Sequence, residues 1–183
     1  MRNAVAIGLM SLVSMGVWAA EPDEMRPEGL SVIKQFGSTL KPSLKAAMQS
    51  GGPVAAVEVC ASQAPKIAAQ LTAQSGWQIS RVSLKPRNGQ TAQADQWEAQ
   101  VLAEFEQRLL AGAAPKSLIA ERHQPQEFRL MKGIVIDQVC LQCHGQQLAP
   151  EVKQAIAEHY PWDQATGYEL GQLRGAFSVS RRL

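Results

Sequence analysis

The chain reads as an α+β fold, with helices first and then strands with a helix between them. Three observations predict this. Over residues 29–71 the apolar residues recur at three- and four-residue steps. After Gly76 come short alternating segments separated by Gly- and Pro-containing breaks. Between these segments lies one stretch with a clear helix start signal, Asp95-Gln96-Trp97-Glu98. Periodicity near 3.6 marks amphipathic helices, alternation marks half-buried strands, and their segregation along a chain is an α+β pattern.

At the N-terminus, Arg2 precedes an apolar, small-residue run from Val5 to Val17, and Val17-Trp18-Ala19 offers small residues at signal-peptidase offsets. This predicts a secretory signal over residues 1–19, cleaved after Ala19 with Ala20 the runner-up, and too short and weakly apolar for a stable membrane span. An uncleaved anchor is the rival reading. No cysteine follows the run, so a lipoprotein anchor is not suggested. Residues 20–27 are polar with two prolines and read as a flexible leader. Residues 28–183 read as one domain, long enough for a real core.

Leu30, Ile33, Phe36, Leu40, Leu44 and Met48 predict an amphipathic helix over 29–48, with Pro42 bending or splitting it. Ser50-Gly51-Gly52-Pro53 ends it. A second helix starts near Pro53 and places Val57, Cys60, Ala64, Ile67, Ala68 and Leu71 on one face. Pro65 removes a hydrogen bond and presses on the carbonyl of Ala61, so a kink is expected one residue after Cys60. Residues 77–84 suit a strand and 85–94 a polar loop. Asp95 and Glu98 have capping-box spacing before a helix carrying Trp97, Val101, Phe105 and Leu109, which Gly112 stops. Phe128 to Met131 and Gly133 to Val139 read as the two strands of a hairpin. Residues 121–125 read as a polar loop, 150–160 as a short helix, 161–171 as a turn-rich loop and 176–180 as a last strand.

With 18 basic and 16 acidic side chains the formal charge is +2. That leaves no electrostatic footprint for nucleic acid. The Arg181-Arg182 pair is only a small local patch. No second apolar run follows the signal, so no stable membrane span is expected in the mature chain, and no internal repeat is visible.

The chemistry is concentrated in Cys140-Leu141-Gln142-Cys143-His144. This C-x-x-C-H run is the attachment sequence of c-type haem: two thiols three positions apart add to the two vinyl groups, and the adjacent histidine falls under the iron. The rivals fit less well. A closed zinc site needs four ligands, but only Cys60, His123 and His159 remain. A thioredoxin-like dithiol sits early in a βαβ pattern that is absent here. An ordinary disulfide is compatible with export, but attachment of haem c outside the cytoplasmic membrane agrees with both motif and signal. A small all-helical cytochrome normally carries this motif near its N-terminus, and here it lies three quarters of the way along.

Cys60 is the odd cysteine. A lone cysteine on an apolar helical face usually just packs, yet an unpaired thiol in an exported protein should have a use. From the residues alone its role stays open. Met131 could supply a thioether to the iron or form part of the haem wall. His123 reads as solvated. His159 ends a helix, where the dipole favours a cation. Arg81 and Arg87 are candidates to pair with a haem propionate, since guanidinium matches carboxylate geometry.

Several blocks, in order, resemble a family of bacterial c-type haem domains with a PAS-like fold. They are Glu58-Val59-Cys60, Ala64-Pro65, Arg81 to Lys85 with Arg87-Asn88, Gln96-Trp97-Glu98, Cys140 to Gly145, Tyr160-Pro161, Asp163-Gln164-Ala165, Gly167-Tyr168, and Gly171 with Arg174-Gly175-Ala176. The family includes exported single-domain proteins and the extracytoplasmic parts of signalling proteins. The resemblance implies an antiparallel sheet flanked by helices, with one covalent haem c packed on the sheet. It also implies an axial pair of His144 and Cys60. Pro86, and a segment from Gly89 to Gln93 poorer in Pro and Asn, depart from the family pattern.

Three functions are then in play. A six-coordinate haem suits one-electron transfer to a periplasmic redox partner. A thiolate that leaves the iron suits a redox or small-gas sensor acting through a docked signalling protein, since the chain carries no output segment of its own. An enzyme such as a peroxidase needs an open iron face and a distal acid–base pair, which the sequence does not suggest. The redox reading is preferred.

Overall fold

The structure, a computed structural model, describes residues 22–183. The expected signal, residues 1–19, lies outside the described residues. A four-stranded antiparallel sheet has the order β1-β4-β3-β2, with β1 Gln78–Val82, β2 Ile119–Gln124, β3 Glu127–Val135 and β4 Leu173–Arg182. Helix α1 (Pro22–Ser75) covers one face and α2 (Gln96–Leu110) the other. A short helix α3 (Leu141–His144) and helix α4 (Pro150–His159) fill the connection between β3 and β4. This is the PAS-like α+β arrangement that the sequence implies.

α1 is two helical arms joined at Gly52, whose φ of 69° and ψ of −160° only glycine adopts without strain. The break falls where the Ser-Gly-Gly-Pro run predicts it. Pro42 and Pro65 stay within helical dihedrals, so neither splits the helix. The first arm also begins earlier than predicted. Residues 22–27 are helical rather than a flexible leader, because Met25 is 2% exposed in the core and Glu28 accepts hydrogen bonds from Trp77 Nε1 (3.3 Å) and Arg181.

Strand alternation divides the core in two. Ile79, Phe128, Leu130 and Val179 pack under Val32, Ile33, Phe36, Leu40, Ile67 and Leu71 of α1. Val82, Met131 and Ala176 point the other way, onto Val101, Leu102 and Phe105 of α2. The predicted capping box starts α2: Asp95 Oδ1 accepts from the Glu98 amide and Glu98 Oε2 from the Asp95 amide, each at 2.9 Å.

The predicted hairpin is corrected. Residues 127–135 form one continuous strand, and its partner is β2, which takes the place of the polar loop expected over 121–125. Gly133 does not break the strand. A Cβ there would lie 2.8 Å from that of Leu118, so glycine lets the segment before β2 pack against β3. β2 is amphipathic only weakly because it is an edge strand whose polar side chains meet water and its neighbours: Glu121 pairs with Arg26 at 2.9 Å.

Candidate haem site

The C-x-x-C-H run folds as a single helical corner. Residues Gln138–Cys140 make a 3-10 turn that Asp137 caps, its carboxylate accepting from the Gln138 amide at 2.7 Å, and α3 continues it to His144. Three- and four-residue spacing on a helical turn brings Cys140, Cys143 and His144 to neighbouring positions. All three cysteines of the chain are free thiols. Cys140 packs against the cluster of Ile136, Ala165 and Tyr168, and Cys143 against Val57 of α1 with Leu148, Val152 and Ile156. The two thiols thus lie between two apolar walls built from distant parts of the chain.

His144 has a defined tautomer. Its Nδ1 lies 2.7 Å from the Ala165 carbonyl, which can only accept, so Nδ1 carries the proton and Nε2 is left with a lone pair. Arg174 Nε, at 3.2 Å, directs its own N–H at the same nitrogen and so competes with the shorter carbonyl contact, which holds the proton on Nδ1. Burial, with Arg174 and Arg87 nearby, lowers the imidazole pKa from 6.5 to about 3. The ring is neutral at physiological pH, the form a metal requires.

Cys60, on the second arm of α1 one turn beyond Val57, is brought to this corner. Burial pushes its thiol up, while Arg81, Arg87 and Arg174 pull against that rise. Burial also raises the Cys143 thiol, and charge on Cys60 or Cys140 adds to the rise. Tyr160, raised first by burial and then by Cys60, completes the neighbourhood. Sequence reasoning passed over Tyr160 and Arg174 as site residues. The resemblance blocks containing them were the only signal.

The two predicted arginines part company. Arg81 lies on the α1 face of β1, its guanidinium 5.5 Å from the Phe36 ring centroid, and no acid pairs with it among the described residues. Arg87 is engaged by the protein itself through its fork. Nε donates to Asp163 Oδ1 at 3.1 Å, and Nη2 donates to the carbonyls of Cys143 (2.5 Å) and Ala165 (3.0 Å). The loop around Arg87 is zipped to the loop around Asp163. The Gln164 amide donates to the Pro86 carbonyl at 2.9 Å, and Lys85 Nζ to the Thr166 carbonyl at 2.8 Å. Pro86, the departure from the family pattern, is buried in this seam.

Met131 lies on the other side of the sheet. It is 0% exposed in the core beneath α2, on the sheet face opposite Arg81 and α1, so strand alternation turns it away from the site. His123 is an exposed β2 residue 3.6 Å from Glu121, and His159 is exposed at the end of α4.

Donor chemistry fits haem c. Two thiols stand at attachment spacing, beside a neutral imidazole with its Nε2 free and a third thiol from another helix. Arg81, Arg87 and Arg174 bear on that thiol, and Asp163 is the acid paired with one of them. An excess of cations beside apolar walls suits a flat apolar group that carries carboxylates.

Comparisons with known proteins agree with this geometry. The crystal structure of the cyanobacterial haem protein Tll0287 matches with a TM-score of 0.67 and 25% identity, over 89% of this chain and 97% of that one. No curated protein matches. A family model described as Tll0287-like matches residues 12–181, which span the α1 arms, the sheet and the cysteine corner alike, and the chain belongs to that Tll0287-like family.

Proposed function

We propose that this chain is an exported c-type haem protein of the periplasm that transfers single electrons. In this reading Cys140 and Cys143 would hold one haem through thioethers, and His144 Nε2 and the Cys60 thiolate would ligate its iron. The observation that carries the reading is the convergence of Cys60 on the C-x-x-C-H corner beside a histidine locked as the Nδ1–H tautomer. The family match and the likeness to a haem protein support it.

The bound haem supplies a one-electron ferric/ferrous couple. The chain sets its properties. The Ala165 carbonyl holds the imidazole and raises its basicity, as outer hydrogen bonds do for ligating histidines. The anionic Cys60 sulfur favours the ferric state, which makes the reduction potential low for a c-type haem. In this reading Arg81 would pair with a propionate, and the walls of Val57, Val152, Ile156, Ile136 and Tyr168 would keep water from the ring. The proposal is a carrier; an enzyme such as a peroxidase would need a distal acid–base pair beside an open iron face.

One observation favours a second reading, a redox or small-gas sensor working through a docked partner. Burial raises the Cys60 thiol pKa, so this thiolate is costly to keep and can take back a proton and leave the iron. Visible spectra of oxidised and dithionite-reduced protein, with and without carbon monoxide, separate the two. The carrier keeps its low-spin spectrum on reduction and ignores carbon monoxide; the sensor loses Cys60 and binds it. A colourless protein purified from cells with intact haem-attachment machinery contradicts both.

A further inference from the structure

Arg87 donates to three acceptors, one of which is the carbonyl that holds the imidazole. Its Nη2 holds the carbonyl of Cys143, the residue before His144, and the carbonyl of Ala165, which accepts the His144 Nδ1 proton. Its Nε holds Asp163 Oδ1, and that same oxygen accepts the Ala165 amide at 2.9 Å. Asp163 and Arg87 thus grip Ala165 through its N–H and its C=O. The pair is shielded, its side chains 11% and 10% exposed. The imidazole is therefore backed by a carbonyl that is doubly bonded and cannot turn away. Resting on the haem reading above, we propose that Arg87 and Asp163 are positioning residues for His144. They fix the direction of its ring and, by sharing the Ala165 carbonyl, limit how much negative character the imidazole gains.

The physical argument is a competition for one oxygen. A carbonyl oxygen has two lone pairs, and here the His144 N–H takes one at 2.7 Å and a cationic N–H the other at 3.0 Å. The cation draws density from the oxygen and weakens its pull on the imidazole proton. Without the fork the carbonyl would accept from His144 alone, the imidazole would become more basic, and the ferric state would be favoured. Lysine keeps the charge of Arg87 but has one nitrogen, and it cannot hold two carbonyls and a carboxylate in the fixed planar geometry of a guanidinium. That separates position from charge.

The experiment compares holoprotein of the wild type, Arg87→Lys, Arg87→Gln and Asp163→Ala. Covalent haem content, midpoint potential and solvent exchange of the His144 Nδ1 proton are measured on each. The proposal expects covalent haem in all four, a lower potential in both Arg87 variants, and exchange about tenfold faster in all three variants. A simple charge effect moves Arg87→Gln alone and is rescued by lysine, and that result overturns the proposal. Unchanged potential and exchange in haem-loaded Arg87→Lys and Asp163→Ala overturn it as well, while leaving the haem reading intact. Absence of covalent haem from the wild type overturns both. Should Arg87→Gln fail to fold, Arg87→Lys and Asp163→Ala still decide.

Discussion

The two sides of the sheet bury charge in opposite ways. On the α2 side, Glu98 is 6% exposed and fully answered. It accepts from Arg129 at 2.8 Å, from Ser178 Oγ at 2.6 Å and from the Asp95 amide, while Asp95 pairs with Arg129 at 2.6 Å. The buried Glu98 and Arg129 answer each other there, with Asp95 sharing the guanidinium from a half-exposed position, while Arg122 lies over the Trp97 ring. At the cysteine corner, three arginines crowd a thiol and a neutral imidazole with Asp163 as the acid engaged. Balanced burial is what structure requires. Unbalanced burial is costly to folding and persists where function uses it.

The contrast can be sharpened by pH. In the haem-free chain His144 titrates at about 3 instead of 6.5, so the folded chain binds that proton less readily than the unfolded one. Above pH 6.5 there is no penalty. Between 6.5 and 3 the unfolded state gains protons and stability falls by about 1.4 kcal/mol per pH unit, on the order of 4 kcal/mol in all. Urea melts at stepped pH measure this. Haem-loaded protein, with Nε2 occupied, is expected to lose less in that window, and equal losses in both forms would break the distinction.

Met131 gives the reciprocal test. Met131→Ala empties part of the sealed α2 side and is expected to cost about 3 kcal/mol in chemical denaturation. The ferric spectrum should not change, because this sulfur faces Phe105 and Leu118. A spectral shift equal to that of a lost ligand would show the two sides to be one site. The smallest effect belongs to the start of α2. Asp95→Ala removes the helix cap and a partly exposed partner of Arg129, at a cost of about 1 kcal/mol, with haem content and potential unchanged.

What was legible in the sequence follows the same divide. The arms of α1, the break at Gly52, the capped α2 and the short α4 were readable because their signals are local: apolar period, Gly-Gly-Pro, a capping box. The β2–β3 hairpin was not. β2 is an edge strand with little alternation, and Gly133 looked like punctuation when its role is a close approach to Leu118. The leader was misread because Met25 is anchored by tertiary contacts that no local pattern reveals.

At the site, C-x-x-C-H spoke for itself through spacing. Cys60 was ambiguous until the resemblance singled it out, because an apolar helical face looks the same whether it meets a sheet or a metal. The neighbours of Arg87 and Met131 were not legible for a shared reason: residue type states what a side chain can do, while the fold decides which neighbours reach it first. Asp163 and two carbonyls reach Arg87, and α2 reaches Met131.

The most direct measurement is the ferric absorption and electron paramagnetic resonance spectrum of Cys60→Ala beside the wild type, both purified with covalent haem. The account predicts a wild-type low-spin thiolate signature that disappears in the variant, which becomes high-spin or takes up an added ligand such as imidazole. Identical spectra from the two proteins would contradict it.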